Sequence, residues 1–493
     1  MLNEGLGSWP ARRARTAPDR VAMIFENHQT TYGEVAERTT RLAHQLRAAG
    51  VEPGERVAYL GPNHPSFAET MFATHLLGGI FVPLNFRLAA PEIQYMLEDS
   101  GALILIYAPS CADVAAELSG VKTVALQTEY EPWLAEGADT PIDIPVARDE
   151  VALILYTSGT TGRPKGAMLT HANQIWNSYN VLVAVDVRAD EVTLVAAPLF
   201  HVAALGMTLL PTFLKGGCSV ITPTWDVDMC FDLIESRRIT WIFGVTTMFA
   251  SLSQSPRWAT ADLSSLRLLM SGGAPIPESL IGTYQQRGIT FCQGYGLTET
   301  SPGATFLSAA ESVRKAGSAG VAMFFEDTKV VRPDGTGVDV DEPGEVLIKG
   351  PNVTPGYWRN EVATQNAFTD GWLHSGDVAR LDEEGYLYIV DRVKDMYISG
   401  GENVYPAEVE NVIHAHPAVA EAAVIGVPDE KWGEVGRAFV VCRPGAALVP
   451  QEFQEFLRSR LAKYKVPVHI DLVDSLPRTG SGKVQKAKLR RHG

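Results

Sequence analysis

Apolar positions along the chain follow two alternating rhythms. Between residues 30 and 150, short branched-apolar runs at 56–60, 80–84, 103–107 and 121–126 read as buried strands. Amphipathic stretches lie among them. Val35, Thr39, Leu42, Ala43, Leu46 and Ala49 share one helical face that stops at Gly50, and residues 65–77 predict a second helix. This alternation predicts mostly parallel sheets covered by helices. It resumes after residue 166, with a helix at 228–237 and strands at 240–245, 266–270 and 289–292. From about 317 the texture becomes short strands and tight turns at 328–331, 345–349 and 386–390, which predicts antiparallel hairpins. A last α+β unit follows, with helix 406–414, strands 420–427 and 437–442, helix 451–463 and strand 468–473. The expected fold class is α/β. A large domain spans 1–393, its β-rich part covering about 317–393, and a small α+β domain spans 394–493.

One apolar run tests this reading. Residues 192–214 carry no charge over 23 positions, a length that could cross a bilayer. Pro198, His201 and Pro211 interrupt it, so a buried strand (192–197), a corner and a core helix are expected, with no transmembrane segment.

Composition narrows the function classes. The 493 residues exceed what one ordinary core organises, and 46% hydrophobic with 20% charged residues describes a soluble globular chain. A net charge of −15 argues against nucleic-acid partners. Residues 395–493 hold 13 basic and 12 acidic side chains, so the excess acid lies in the large domain. The tail 478–491 has six basic residues and no acid, a basic edge suited to a phosphate-bearing ligand. Five scattered cysteines never form Cys-x-x-Cys, and the first residues lack an apolar signal core; both favour a reducing, cytoplasmic setting. His414 and His416 have no third ligand near in sequence and are read as non-metal residues. Peripheral membrane contact is left open by composition.

The candidate chemistry sits in loops that follow strands. Strand 151–155 leads into Tyr156-Thr-Ser-Gly-Thr-Thr-Gly-Arg-Pro-Lys-Gly166, where four hydroxyls, three glycines and a lysine read as a polyphosphate cradle. It is not a Walker loop, because Pro164 precedes Lys165 and no Ser or Thr follows it. Strand 266–270 opens onto Ser271-Gly-Gly-Ala-Pro-Ile-Pro277, and strand 289–292 onto Gln293-Gly-Tyr-Gly-Leu-Thr-Glu-Thr300. Ligands of α/β sheets bind beyond the carboxyl ends of strands, so three such loops predict one site.

Together with His374-Ser-Gly-Asp377, residues 386–395 and 400–408, and Pro477-Arg-Thr-Gly-Ser-Gly-Lys483, these stretches resemble the adenylate-forming superfamily of acyl-CoA synthetases, adenylation domains and luciferases, with bacterial fatty-acid–CoA ligases nearest. The resemblance implies ATP and magnesium as cofactors, and coenzyme A as co-substrate. A carboxylate would displace pyrophosphate from ATP, and a thiol would then attack the acyl-adenylate. By the same resemblance, Thr157, Ser158, Gly159, Thr160, Thr161, Gly162 and Lys165 cradle the β- and γ-phosphates. Gly273, Ala274 and Pro275 line the adenine beside Tyr295. Thr298 donates to the α-phosphate, Glu299 and Thr157 hold magnesium, and Asp377 accepts the ribose hydroxyls with help from Arg392. Lys483 is the implied catalytic lysine and Lys394 the hinge of a mobile small domain. Gly400 and Gly401 face the pantetheine. Trp432, with Lys463 or Lys465, is a candidate for the nucleotide end of CoA, against a buried tryptophan and solvated lysines.

The resemblance places His201, Ala203, Met207, Phe243 and Gly294 around the acyl group, with His201 also a catalytic candidate. All but His201 are small or apolar, which suits an uncharged tail. Residues 200–207 contain no aspartate to pair an amino acid's ammonium, and residues 291–295 no arginine for a second carboxylate. Hydroxycinnamate ligases commonly carry a tyrosine where this chain has Ala203. The expected substrate is therefore a medium- or long-chain fatty acid, with an aryl acid as the alternative. A fatty-acyl-AMP ligase that loads an acyl carrier protein is a further alternative; that group usually carries an extra segment in the large domain, and no inserted segment is evident. A non-catalytic nucleotide-binding relative is disfavoured because Glu299 and Lys483 are present.

Overall fold

The computed structural model describes residues 2–157, 163–273, 278–392, 397–404, 406–443, 445–446, 448–477, 484 and 486–490. Two compact units result. One comprises residues 1–86, 97–155 and 166–391, and the other residues 87–96, 156–165 and 392–493. The expected hinge Lys394 lies outside the described residues, as do Ser158, Gly159, Thr160, Thr161, Gly162, Ala274, Pro275 and Lys483.

The first unit is organised by two large sheets. A nine-stranded sheet runs in the order Val321–Ala322, Gly303–Leu307, Thr290–Gly296, Leu268–Gly272, Trp241–Gly244, Val192–Val195, Cys218–Ile221, Val21–Phe25 and His28–Thr31. Its six central strands, from Thr290–Gly296 to Val21–Phe25, pair in parallel, and antiparallel strands close both edges. A seven-stranded sheet runs Gly356–Tyr357, Lys165–Thr170, Val151–Thr157, Ile80–Leu84, Arg56–Leu60, Ile104–Tyr107 and Lys122–Ala125. Parallel strands buried on both faces need near-continuous apolar runs, and the Ile80–Leu84 strand is buried at every position. A smaller antiparallel sheet pairs Asp327–Val331 with Gly344–Lys349, and that strand with Trp372–Leu381.

Helix Tyr32–Ala48 shows how local and long-range signals agree. Thr31 and Glu34 form a reciprocal capping box, and Val35, Thr39, Leu42, Ala43 and Leu46 are buried. Burying each leucine contributes about 2 kcal/mol. Helix His171–Val185 has the opposite character. It is capped by Thr170 and Asn173, and its buried residues include His171, Asn173, Gln174, Asn177, Ser178 and Asn180. Asn173 donates to the carbonyls of Pro351 and Val353, Asn177 to that of Gly206, and Asn180 to Glu326, so specific polar partners fix this helix in addition to apolar packing.

The apolar run 192–214 forms strand Val192–Val195, a corner, and a continuous helical stretch from Val202 to Lys215 with one wider turn at Leu205–Leu209. Among the described residues, no helix is long and apolar enough to cross a membrane.

The second unit pairs Val419–Asp429 with Gly433–Cys442, which in turn pairs with Tyr397–Ser399 and His469–Leu472. Val409, Ile413, Val424, Phe453 and Leu457 belong to its core. Helix Pro450–Arg458 stops five residues short of the expected end at 463, where a short turn, Lys463–Lys465, follows. His416 packs edge-on against Phe453 and Phe456, and no cluster of metal-ligating side chains occurs among the described residues.

Candidate active site

Three parallel strands of the nine-stranded sheet end side by side. Phe243 pairs with Met270, and Gly272 with Gly294. Glycine is needed here for space: a Cβ on Gly272 would lie 2.9 Å from the Gly294 carbonyl oxygen, and one on Gly294 would lie 2.2 Å from the Met270 methyl. Gly273 then turns the chain at φ +84°, with open space where a side chain would be.

The Gly-Tyr-Gly segment corrects one expectation. Gly294, Tyr295 and Gly296 are not a loop; they complete strand Thr290–Gly296, paired with Gly303–Leu307. The glycine-rich texture suggested a turn, whereas the glycines serve close approach. A Cβ on Gly296 would sit 1.7 Å from the Pro302 carbonyl oxygen. The actual turn is the next segment, Thr298–Thr300, held by the Thr300 hydroxyl donating to the Pro302 carbonyl at 2.6 Å.

Within this turn Glu299 is buried. Its carboxylate accepts the Tyr357 hydroxyl at 2.7 Å, while its backbone carbonyl accepts from Thr354 N–H. Thr298, at the head of the turn, is half-buried. Asn352 donates both amide hydrogens to the turn's flanks, the carbonyls of Thr300 (2.6 Å) and Gly303 (2.9 Å). Tyr357, Thr354 and Asn352 were not anticipated. The Gly-Pro-Asn-Val-Thr-Pro-Gly-Tyr run after strand Gly344–Lys349 was the available signal, another strand opening onto a glycine- and hydroxyl-rich loop.

Tyr295 and Asp377 are brought together. The phenol donates to the Asp377 carboxylate at 2.7 Å, and Asp377 is buried on strand Trp372–Leu381. A carboxylate offers two oxygens that can accept hydroxyls. Tyr295→Phe should raise KM for ATP about tenfold through the lost charge-assisted hydrogen bond. Initial rates over an ATP series would check this, and an unchanged KM would separate Asp377 from nucleotide binding.

The acyl-pocket candidates meet this site through Gly206. A Cβ there would lie 2.6 Å from the Ser301 carbonyl oxygen and 2.7 Å from Pro302, so the helical stretch carrying Ala203 and Met207 lies against the end of the Thr298–Thr300 turn. Met207 and Phe243 are buried. His201 packs against Phe200 with ring centroids 4.5 Å apart, and Phe200 meets Phe86 edge-on at 5.5 Å.

The second unit carries the other candidates. Thr157 is the last residue of strand Val151–Thr157, and Lys165 is the first residue of strand Lys165–Thr170, not a loop residue as expected, because pairing in the sheet begins there. Arg392 ends strand Leu387–Arg392. Gly400 and Gly401 form the turn between strands Tyr397–Ser399 and Glu402–Val404, both at positive φ. Trp432 is 42% exposed and its ring lies over Gly400, where a Cβ would come within 2.8 Å of the indole. A buried tryptophan is thus ruled out. Lys465 is not solvated either: it is buried, donating to Glu408 at 2.6 Å and to Glu92 at 3.0 Å. Burial acts to lower the pKa of its ammonium, but Tyr464, Glu408 and Glu92 together hold it well above the usual lysine range. Lys465 therefore has a structural partner set, whereas Trp432 is part-exposed, with the Lys431 ammonium 4.9 Å from its ring centroid.

Comparison with known proteins gives this geometry a family. The model of the AMP-binding enzymes matches residues 10–358, and that of the AMP-binding enzyme C-terminal domain matches residues 408–483. The chain belongs to the AMP-binding, adenylate-forming enzymes. It is 52% identical over 491 residues to a feruloyl-CoA synthase of an Amycolatopsis species, covering 100% of this chain and 99% of that protein. It is 38% identical to the long-chain-fatty-acid–CoA ligase FadD13 of Mycobacterium tuberculosis, covering 98% and 97%. A solved structure of o-succinylbenzoate CoA synthetase from Bacillus subtilis, bound to a product analogue, superposes with a TM-score of 0.91 at 35% identity, covering 98% of each chain. The enzyme is accordingly an ATP-dependent, AMP-forming acyl-CoA ligase that uses a small-molecule acid, ATP and CoA.

Proposed function

We propose that the acid is an aryl, hydroxycinnamate-type carboxylate, activated as its acyl-adenylate and transferred to CoA with release of AMP and pyrophosphate. The observation that carries this is the 52% full-length identity to a feruloyl-CoA synthase, against 38% over a similar span to a fatty-acid ligase. The aromatic set Phe86, Phe200 and His201 favours a flat ring, which gains from edge and face contacts beyond area burial. Ala203, where hydroxycinnamate ligases commonly carry a tyrosine, and the apolar Met207 and Phe243 favour an aliphatic tail, the second reading.

The proposed roles follow the chemistry of charge. The loop from Thr157 to Lys165 holds the departing pyrophosphate. Gly273, Ala274 and Pro275 border the adenine, and Tyr295 and Asp377 secure the ribose, with Arg392 assisting. Thr298 donates to the α-phosphate, where negative charge accumulates, and Lys483 offers an ammonium between that phosphate and the attacking carboxylate. His201 borders the acyl group, and Gly400, Gly401 and Trp432 serve CoA. A buried carboxylate at Glu299 and the Thr157 hydroxyl are hard oxygen donors and fit magnesium. When bound, the ion neutralises charge on the polyphosphate. Lys394 is proposed as the hinge residue of the small domain.

A panel of ferulate, cinnamate, indoleacetate, octanoate and palmitate, with ATP and CoA and AMP release as readout, tests the reading. Ferulate should exceed each aliphatic acid in kcat/KM by about tenfold or more. An aliphatic chain outpacing every aryl acid would overturn it. Pyrophosphate exchange without CoA consumption would instead indicate a carrier-protein acceptor.

A further inference from the structure

Glu326 is a buried carboxyl with no charged partner in its hydrogen-bond network. It precedes strand Asp327–Val331, and its Oε1 accepts from the Asn180 side-chain amide at 2.7 Å. Its Oε2 is buried and has no partner among the described residues, and the same holds for Oδ1 of Asn352. The two side chains converge above Gly350, where a Cβ would lie 2.7 Å from Asn352 Oδ1 and 2.8 Å from Glu326 Cγ.

Both asparagines are fixed in orientation by their other bonds. Asn352 must aim its NH2 at the carbonyls of Thr300 and Gly303, so its oxygen faces the other way. Asn180 must aim its oxygen at the Phe325 N–H, so its NH2 meets Glu326. An ionised Glu326 would then set two acceptors, Oε2 and Oδ1, against each other with no hydrogen between them. A protonated carboxyl supplies one. Asn173, on the same helix as Asn180, donates to the carbonyls of Pro351 and Val353 and brackets Asn352 from both sides.

We infer that Glu326 is an uncharged carboxylic acid that donates from Oε2 to Asn352 Oδ1, and that through Asn352 it positions the Thr298–Thr300 turn for adenylation. Glu326 is a positioning residue: it reaches the turn only through the Asn352 clamp. Burial away from charge pushes its carboxyl well above the ordinary 4.5. The charged groups of the adjoining strand pair, Asp327 and Lys349, are in register with each other and exposed, while helix His171–Val185 and residues 350–353 present only amides to it. The positioning half of the inference rests on the proposed roles of Thr298 and Glu299; the protonation half does not.

The sign of the pH effect follows from the raised value. Glu326's contribution to stability is complete below about pH 4.5 and is lost as pH rises toward the folded-state value. Glu326→Gln keeps the shape, accepting from Asn180 and donating to Asn352, but cannot ionise. The full-length wild type should show an infrared band of a protonated carboxyl at pH 7 that is missing from E326Q. Relative to E326Q, its thermal midpoint should fall as pH rises above about 4.5. E326Q should retain adenylation within about twofold, whereas Glu326→Ala should lower it about tenfold with KM for CoA unchanged. Absence of the band, or parallel pH profiles of wild type and E326Q, would overturn the protonation. Normal adenylation in E326A with the band present in wild type would overturn the positioning role alone. Both outcomes are independent of which acid the enzyme prefers.

Discussion

Lys483→Ala should abolish adenylation while leaving conversion of a supplied acyl-adenylate to the thioester largely intact. The first half-reaction brings two anions together, a carboxylate and the α-phosphate, and concentrates charge on the phosphoryl oxygens as the bond forms. An ammonium between them is worth most at that moment, so removing it should cost about 10²- to 10³-fold in the adenylation rate. The second half-reaction starts from a neutral mixed-anhydride carbonyl and a thiol, with the phosphate already esterified, and makes no equal demand. ATP–pyrophosphate exchange would follow the first step, and thioester formation from preformed adenylate the second. Equal loss in both would remove Lys483 from that role, and Lys483→Arg, with a bulkier planar charge in place of a compact ammonium, should recover little.

Much of the scaffold was legible in the sequence because its signals are local. The strands at 56–60 and 80–84 and the helix at 406–414 coincide with Arg56–Leu60, Ile80–Leu84 and Pro406–His414, since apolar runs and helix faces mark themselves. Helix His171–Val185 left no such mark, because its buried side is built largely from amides and hydroxyls; its partners at Phe325, Pro351 and Gly303 are more than a hundred residues away. Gly294 and Gly296 misled for a related reason. Glycine signals both a turn and a close backbone approach, and only the neighbours Met270 and Pro302 decide between them. Tyr357 was equally hidden, its link to Glu299 spanning 58 positions. The acyl group is the least legible part. Apolar and aromatic walls accept an alkyl chain or an arene at similar cost, so a lean drawn from Ala203 alone carries little discrimination.

Glu299→Gln should be the second severe lesion, and its signature should be magnesium. The substitution keeps the shape of the side chain and an oxygen to accept the Tyr357 hydroxyl, so the Thr298–Thr300 turn should fold as before. What it removes is the negative charge and one hard oxygen ligand. Thermal stability should therefore hold or rise slightly, because a buried carboxylate costs more desolvation than an amide. Adenylation at limiting magnesium should fall about 100-fold. Raising magnesium should recover part of the rate, as expected when affinity and not the fold is damaged. Turnover of supplied acyl-adenylate with CoA should change little, since no polyphosphate remains to be neutralised. A magnesium dependence identical to wild type would show that the carboxylate serves only to anchor Tyr357. Tyr357→Phe separates the two duties: it leaves the charge in place, frees the carboxylate oxygen, and should disturb the position of the turn with a much smaller shift in the magnesium requirement.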